Sequence, residues 1–253
     1  MKVLAAYNIK GGVGKTAAAV NLGVLAARDG FRTLLWDLDP QGAASFLLRV
    51  RPKVKGGGRK LVRGRSDVPE LLRGSDVDGL DLLPADFSYR HLDLALDGTK
   101  RPARQLATLL APLAEHYDLV VVDCQPSISL VSESVFDAAD ALVVPLIPST
   151  LSLRTFDQLL DYVRNEVERP PEILAFFSMV DGRKKLHREV IAQLPLDRPE
   201  VTTIAIPAAT EVELMGIERR AVVDSAPRSR AAQAYRDLWT EIRTRFDLRP
   251  GHP

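Results

Sequence analysis

The 253-residue sequence has a single cysteine, Cys124. That excludes an internal disulfide framework, and it excludes an iron–sulfur cluster held by the cysteines of one chain. Long apolar runs are missing too. None approaches the ~20 residues that a membrane-spanning helix needs, and the chain meets the polar Asn8 and Lys10 too early for a secretory apolar core. Net charge is nearly absent, at +1, so any binding of nucleic acid has to come from local basic patches. There is no internal repeat and no low-complexity tail. The expectation is a protein that is neither secreted nor integral to a membrane, in a reducing cytoplasm.

What is present is an ordinary globular composition, 46% apolar and 26% charged, sufficient for a substantial core. Short apolar runs without helical period occur at 3–7, 33–36, 119–122, 141–145, 173–179 and 201–206, with a further candidate at 80–83 before Pro84. Between them lie helix-length mixtures at 15–28, 88–96, 102–117, 130–139, 153–168, 184–194 and 229–246. In the first of these, Val20, Val24 and Ala27 repeat at three and four, and Gly30 supplies the stop. This alternation predicts an α/β fold with one doubly wound, mostly parallel sheet and helices on both faces, in a single domain over 1–253. One stretch breaks the rhythm. Residues 49–65 hold eight Lys or Arg among 17 and no carboxylate, around Gly56-Gly57-Gly58. They predict a mobile basic loop, inserted at about 49–66, with no contribution to the core.

The stretch Asn8-Ile9-Lys10-Gly11-Gly12-Val13-Gly14-Lys15-Thr16 follows the first apolar run and opens the first helix. It has the form of a phosphate loop: glycines let backbone N–H groups close on phosphate oxygens, and the helix presents its positive end to the same anion. Lys15 is placed to reach the β- and γ-phosphates, and the Thr16 hydroxyl to hold Mg²⁺. The strict G-x-x-x-x-G-K-[ST] pattern fails at Ile9, and the loop carries a surplus lysine, Lys10. One lysine suffices for one nucleotide's terminal phosphates, so Lys10 asks for another task.

Two further stretches carry carboxylates at strand ends, where an open α/β sheet binds its ligands. Asp37 and Asp39 close the second strand, and a spacing of two puts both on one side if strand geometry persists. One carboxylate can orient an attacking water while the other tunes the Mg²⁺ shell. Leu119-Val120-Val121-Val122-Asp123 is an apolar strand ending in a carboxylate, the form of a Walker B element that holds Mg²⁺ through water. Cys124 reads as a small residue beside that strand end.

With these motifs the chain resembles the ParA and MinD family of deviant Walker A ATPases, whose loop reads K-G-G-x-G-K-[ST]. It is most similar to the ParA-type, Soj-like partition ATPases. Asp37-Leu38-Asp39-Pro40-Gln41-Gly42 looks like the family's D-x-D-P-Q segment, which assigns Asp39 to hydrolysis and Asp37 to a supporting place beside the metal. The resemblance extends over nearly the whole chain, through 145–153 and through Ile206-Pro207, 211–216 and 226–235. It implies an ATP site of Lys10, Gly11, Gly12, Val13, Gly14, Lys15, Thr16 and Ala17, with Met179, Asp181 and Pro207 around the adenine. It implies a catalytic set of Lys10, Asp39 and Asp123, and a metal set of Thr16, Asp37 and Asp123. Two positions depart from the pattern: Gln125 replaces a proline after Asp123, and Ala17 replaces a threonine, which removes about one hydrogen bond, on the order of 1 kcal/mol.

The implied activity is slow, partner-stimulated hydrolysis of ATP with Mg²⁺ by a homodimer that forms in the ATP state, with Lys10 reaching the other subunit's nucleotide. The implied partners are nonspecific nucleoid DNA and a ParB-like or other cargo adaptor, with no membrane partner. The cargo is a plasmid, a chromosome or a protein assembly. Arg183, Lys184, Lys185 and Arg188, with Arg219, Arg220, Arg228 and Arg230, coincide with places where ParA-type proteins contact DNA. A rival reading is a MinD-like ATPase working at a membrane surface, since Tyr235, Leu238, Trp239, Ile242 and Phe246 form a stripe on the last helix. Docking of that stripe on the core is the plainer expectation. A tyrosine kinase relative lacks its terminal tyrosine cluster here, and a nitrogenase-reductase relative its cluster cysteines.

Overall fold

A computed structural model describes residues 1–251. Eight strands form one sheet: β1 (Lys2–Ala6), β2 (Thr33–Asp37), β3 (Arg73–Gly74), β4 (Leu80–Leu83), β5 (Leu119–Asp123), β6 (Ala141–Leu146), β7 (Glu172–Val180) and β8 (Val201–Pro207). Their order is β3-β4-β2-β5-β1-β6-β7-β8. All pairings are parallel except β3 with β4, which is antiparallel. Parallel strands are covered on both faces, which explains why the strands read as unbroken apolar runs.

The pleat sorts these runs into two cores. Val3, Ala5, Leu34, Trp36, Val120, Val122, Leu142 and Val144 face one side, and Leu4, Ala6, Leu35, Val121, Val143 and Phe176 face the other. The second core is closed by α1 (Lys15–Arg28), α2 (Ala43–Leu47), α10 (Thr210–Glu218), α11 (Val222–Ser225) and α12 (Arg230–Arg245). The first is closed by α3 (Gly57–Val62), α4 (Val68–Leu71), α5 (Leu92–Asp97), α6 (Gln105–Leu110), α7 (Leu130–Ala138) and α8 (Thr150–Glu166). The helix α9 (Lys185–Asp197) precedes β8 at the far edge.

The observed helices differ from the expected ones where proline intervenes. The span 102–117 is a short α6 between two tight turns, Pro102–Arg104 and Ala111–Leu113, because Pro112 has no N–H to continue the ladder. The span 88–96 holds no proline and also begins as a tight turn, Phe87–His91, before α5, with the Asp86 carboxylate accepting from the Ser88 amide. The elements α2, α11 and β3 are too short to show a period, and α10 buries only Met215 and so shows no apolar stripe.

The basic stretch is not the coreless loop that its composition predicts. Val54, Leu61 and Val62 are buried in the first core. The carboxylate of Asp86 accepts from the Val54 amide (2.9 Å), and the Ser88 hydroxyl accepts from the Gly58 amide (2.8 Å). Three apolar anchors among eight cations are too sparse to register as a period, yet they suffice to seat a helix.

The last helix docks on the core. Tyr235, Leu238, Trp239 and Ile242 are buried, Trp239 packs edge-on to Phe31 at 5.6 Å, and its indole N–H donates to Asp29 (2.7 Å). No described helix is long and apolar enough to cross a membrane.

Candidate functional site

The loop after β1 is pinned before it reaches its glycines. The Asn8 side-chain amide donates to the Pro145 carbonyl (2.8 Å), and its oxygen accepts from the Lys10 amide (2.9 Å). Gly12 and Gly14 hold φ of 71° and 97°, a region that L side chains rarely enter. A Cβ on Gly14 would also stand 2.8 Å from the Ser178 hydroxyl. Both conditions demand glycine, one from the backbone and one from β7.

Lys15 is buried at the start of α1, with its ammonium on the Lys10 carbonyl at 3.1 Å. Burial lowers its pKa, opposed by Asp123, Cys124 and Asp39. The strand register sets Asp37 of β2 opposite Asp123 of β5, and both carboxylates are fully buried. One oxygen of Asp37 accepts from the Ser45 amide and hydroxyl, each at 2.7 Å. The Ser45 hydroxyl in turn accepts from the Ala85 amide (3.0 Å), which fixes its proton on Asp37. Among the described residues, Asp37 Oδ1 and both oxygens of Asp123 have no hydrogen-bond partner. Burial pushes the Asp37 carboxyl up to about 6, against the Ser45 hydrogen bonds. Burial, then the Asp37 charge, pushes Asp123 well above the carboxylate range, with the Thr16 hydroxyl and Lys15 opposing.

Three unpartnered buried oxygens beside a lysine are costly unless a cation completes them. Hard oxygen donors suit Mg²⁺, which keeps several waters and takes few protein ligands. Among the described residues no group of three or more His, Cys, Asp or Glu could hold a metal. An ion here would therefore draw on Asp123, Asp37 and the Thr16 hydroxyl, with water and phosphate supplying the rest. The donor set fits magnesium carried by a nucleotide.

A cavity of about 350 Å³ opens against the glycine loop. Gly11, Gly12, Gly14, Lys15, Thr16, Ala17, Asp39, Met179 and Pro207 line it. Val13 is buried in the loop. Lys10 is off the wall, and its ammonium has no hydrogen-bond or ion-pair partner among the described residues. Asp181 is also off the wall. Arg183 clasps its carboxylate at 2.9 and 3.0 Å and holds it at a pKa of about 2.

Asp37 and Asp39 do not share a pleat, because β2 ends at Asp37. Asp39 sits in the following turn, half-buried, with Oδ1 accepting from the Gln41 amide (2.9 Å). The turn separates their surroundings: Asp37 faces Asp123, while Asp39 faces the cavity. Residues that sequence reasoning missed on the wall are Pro126, Ser178, Ile206, Val212, Glu213 and Tyr235. Ser178 and Ile206 stand near strand ends and carried that signal. Val212 and Glu213 belong to the unrecognised α10. Met179 holds φ of 53° where the β7–β8 register shifts, a strained geometry kept by its surroundings.

The basic residues are unevenly engaged. Arg183 is bound to Asp181, Lys185 lies 3.4 Å from Glu189, and Arg188 donates to the carbonyls of Gly182 and Arg183. Arg219 donates to the Phe46 carbonyl (2.8 Å) and lies over its ring. Lys184, Arg220, Arg228 and Arg230 have no side-chain partner among the described residues.

Residues 1–174 match a family described as an AAA domain. The chain is 30% identical over 247 residues to the sporulation initiation inhibitor protein Soj of Bacillus subtilis, covering 95% of this chain and 98% of that one. It is 34% identical over 197 residues to the chromosome partitioning protein ParA of Caulobacter vibrioides, covering 75% and 74%. Among solved structures, the cobyrinic acid a,c-diamide synthase of Mycobacterium smegmatis with bound ATP analogue and magnesium superposes with a TM-score of 0.82 at 27% identity, covering 99% and 98%. With the lysine-bearing glycine loop, the paired strand-end carboxylates and the parallel sheet all in place, the chain belongs to the ParA/MinD family of deviant Walker A ATPases, close to ParA and Soj.

Proposed function

We propose that this chain is a ParA-type ATPase: it takes up Mg²⁺ and ATP, pairs with a second copy, holds DNA without reading its sequence, and releases it when a partner stimulates hydrolysis. One observation carries the reading. The loop holds two lysines of unlike state, Lys15 buried at the phosphate position and Lys10 whose ammonium has no partner among the described residues, beside three orphaned carboxylate oxygens. In this reading Lys15 neutralises the β- and γ-phosphates, and the bound magnesium supplies charge neutralisation of the developing transition state. Asp39, at the cavity wall, positions the attacking water. Asp123 and Asp37 orient the water shell of the ion. Lys10 completes the site of the other subunit, so ATP binding is the switch and hydrolysis the timer.

DNA contact falls to Arg228 and Arg230, with Lys184 and Arg220. Arg228 and Arg230 flank Ser229, the N-cap of α12, where the helix dipole disfavours cations. Helix stability does not account for them there, whereas phosphate neutralisation does. Arg183 and Lys185 join this surface only by leaving their carboxylate partners, whereas Arg188 and Arg219 are bound to carbonyls through one nitrogen each. The MinD-like alternative needs the last helix free for a membrane, and the burial of Tyr235, Leu238, Trp239 and Ile242 speaks against it.

The test is retention on duplex DNA with ATP, with ADP and without nucleotide, beside pelleting with anionic vesicles. Retention with ATP alone, falling steeply with salt and indifferent to sequence, is expected. Retention independent of nucleotide, or ATP-dependent vesicle pelleting, would overturn the reading.

A further inference from the structure

The basic stretch builds one wall of a slot that the nucleotide chemistry does not use. Its cavity, about 520 Å³, is lined by Gln41 and Gly42 from the Asp39 turn, by Ala43 and Phe46 of α2, by Arg49–Pro52, and by Arg219 at the end of α10. The floor is apolar and the rim is cationic. Phe46 is 49% exposed, although a side chain of that size has every reason to be buried. Around it stand three arginines. The Arg51 side chain has no ion-pair or hydrogen-bond partner among the described residues, and the ion pair of Arg49 with Asp76 is loose, at 3.6 Å between exposed groups. Arg219 spends only Nε, on the Phe46 carbonyl. A second cavity of about 290 Å³ continues the slot along Val50 and Arg51 to Lys53, Lys55 and Arg73.

The slot is held open by two helix ends. Arg49 and Arg219 both carry left-handed backbone, with φ of 60° and 51°. Each reaches the other's helix terminus: Arg49 donates to the carbonyls of Glu218 and Arg219, and Arg219 to that of Phe46. Strained arginines locked across a gap between α2 and α10 make a preformed cleft.

We propose that this slot receives an acidic peptide segment with one apolar side chain, presented by the partner that controls hydrolysis. Charge complementarity selects the acidic residues for the rim of Arg49, Arg51, Lys53, Lys55 and Arg219. The floor of Gly42, Ala43, Phe46, Val50 and Pro52 takes the apolar side chain. A nucleic-acid duplex offers phosphates but nothing to fill that floor, so a peptide satisfies more of the surface than a duplex does. The consequence for activity follows from the wall. The amide of Gln41 is the donor on Asp39, and Ser45, on the same short α2 as Phe46, holds Asp37. An occupant pressed on Ala43 and Phe46 therefore bears on the supports of both carboxylates. This regulatory step rests on the partner-stimulated reading above, whereas the peptide site itself does not.

The test measures fluorescence anisotropy of a labelled peptide of glutamates and aspartates with one central phenylalanine, titrated with the full chain loaded with ATP and Mg²⁺. Saturable binding is expected, weakened at least tenfold in a triple variant Arg51→Glu, Lys53→Glu, Lys55→Glu and at least threefold when the peptide's phenylalanine becomes serine. The triple variant should gain affinity for a lysine-and-arginine peptide of the same design, a reversal that an unfolded variant cannot show. Saturating peptide should change the wild-type hydrolysis rate at least twofold. Equal affinity of variant and wild type or indifference to the phenylalanine would overturn the peptide site, and unchanged turnover at saturation in a chain that hydrolyses ATP would overturn the regulatory step. So would a triple variant that keeps the peptide and loses ATP-dependent retention on DNA, which makes the slot a nucleic-acid surface. Peptide binding by a chain that never hydrolyses ATP would remove the ATPase reading and leave the peptide site standing.

Discussion

At the scale of single residues, the site is a balance of buried charges that no apo contact completes. Asp123 leaves both its oxygens unpaired next to Asp37 and against Lys15. Replacing Asp123 with asparagine removes a buried carboxyl whose ionisation burial and the neighbouring Asp37 both oppose. The variant should melt at a higher temperature than wild type without Mg²⁺ and nucleotide, and should lose most of the upward shift that Mg²⁺ and ATP produce in wild type. Differential scanning fluorimetry under both conditions reads the reversal, and a variant that melts lower in both would remove Asp123 from the ion's site. Ser45 is the positioning residue of this pair. Ser45→Ala deletes a charge-assisted hydrogen bond in the core, with a cost of about 1–3 kcal/mol in urea denaturation. A weaker dependence of nucleotide binding on Mg²⁺ should accompany it, because the carboxylate of Asp37 is then held by the backbone amide at position 45 alone. Gly14→Ala meets both a left-handed φ and the Ser178 hydroxyl. Nucleotide titration should show it to be defective, and the loss should persist in Gly14→Ala with Ser178→Ala, since removing the clash leaves the backbone strain.

At the scale of elements, α3 shows how few anchors order a basic segment. Leu61 and Val62 are fully buried in the first core. Leu61→Ala should therefore cost about 2–5 kcal/mol in global unfolding, measured by chemical denaturation. A mobile loop would give almost none. The same reasoning applies to α12, whose apolar stripe is spent on Phe31 and the second core. Truncation before Arg230 should produce an unstable chain and not a soluble form that has merely lost a membrane anchor.

At the scale of the whole molecule, stability is linked to ligand and to acid. A nucleotide that binds only the folded chain adds about 2.7 kcal/mol at a hundred times its Kd, so the melting temperature should climb with ATP in the presence of Mg²⁺. On the acid side, Asp118 at the entry to β5 is bound by Arg32 at the entry to β2, with Nη2 at 2.7 Å. The Arg32 guanidinium holds the Asp118 carboxyl below its ordinary range. A depressed folded-state pKa stabilises above the unfolded carboxylate value and is lost as pH falls through the folded one. Asp118→Asn should therefore lower the melting temperature at neutral pH and narrow its gap to wild type in acid. An unchanged gap across that range would show that the pair contributes no pH-dependent stability.

The sequence by itself determined the sheet, the glycine loop and the strand-end carboxylates. Parallel strands buried on both faces need unbroken apolar runs, and a phosphate loop needs glycine at fixed places, so both are written locally as 3–7 and Gly11 to Gly14. The runs at 33–36, 80–83 and 119–122 were legible for the same reason. Tertiary structure alone decided which side chains meet. Ser45 with Asp37, Ser178 with Gly14, and Arg49 with Arg219 are contacts between residues separated by eight to more than a hundred positions, and no local pattern encodes them. It also decided the fate of 49–65, where composition argued for a solvated loop and three buried side chains prevailed. Local periodicity reports what one element hides from water, whereas a site is made where several elements end, and only the packed sheet brings those ends together.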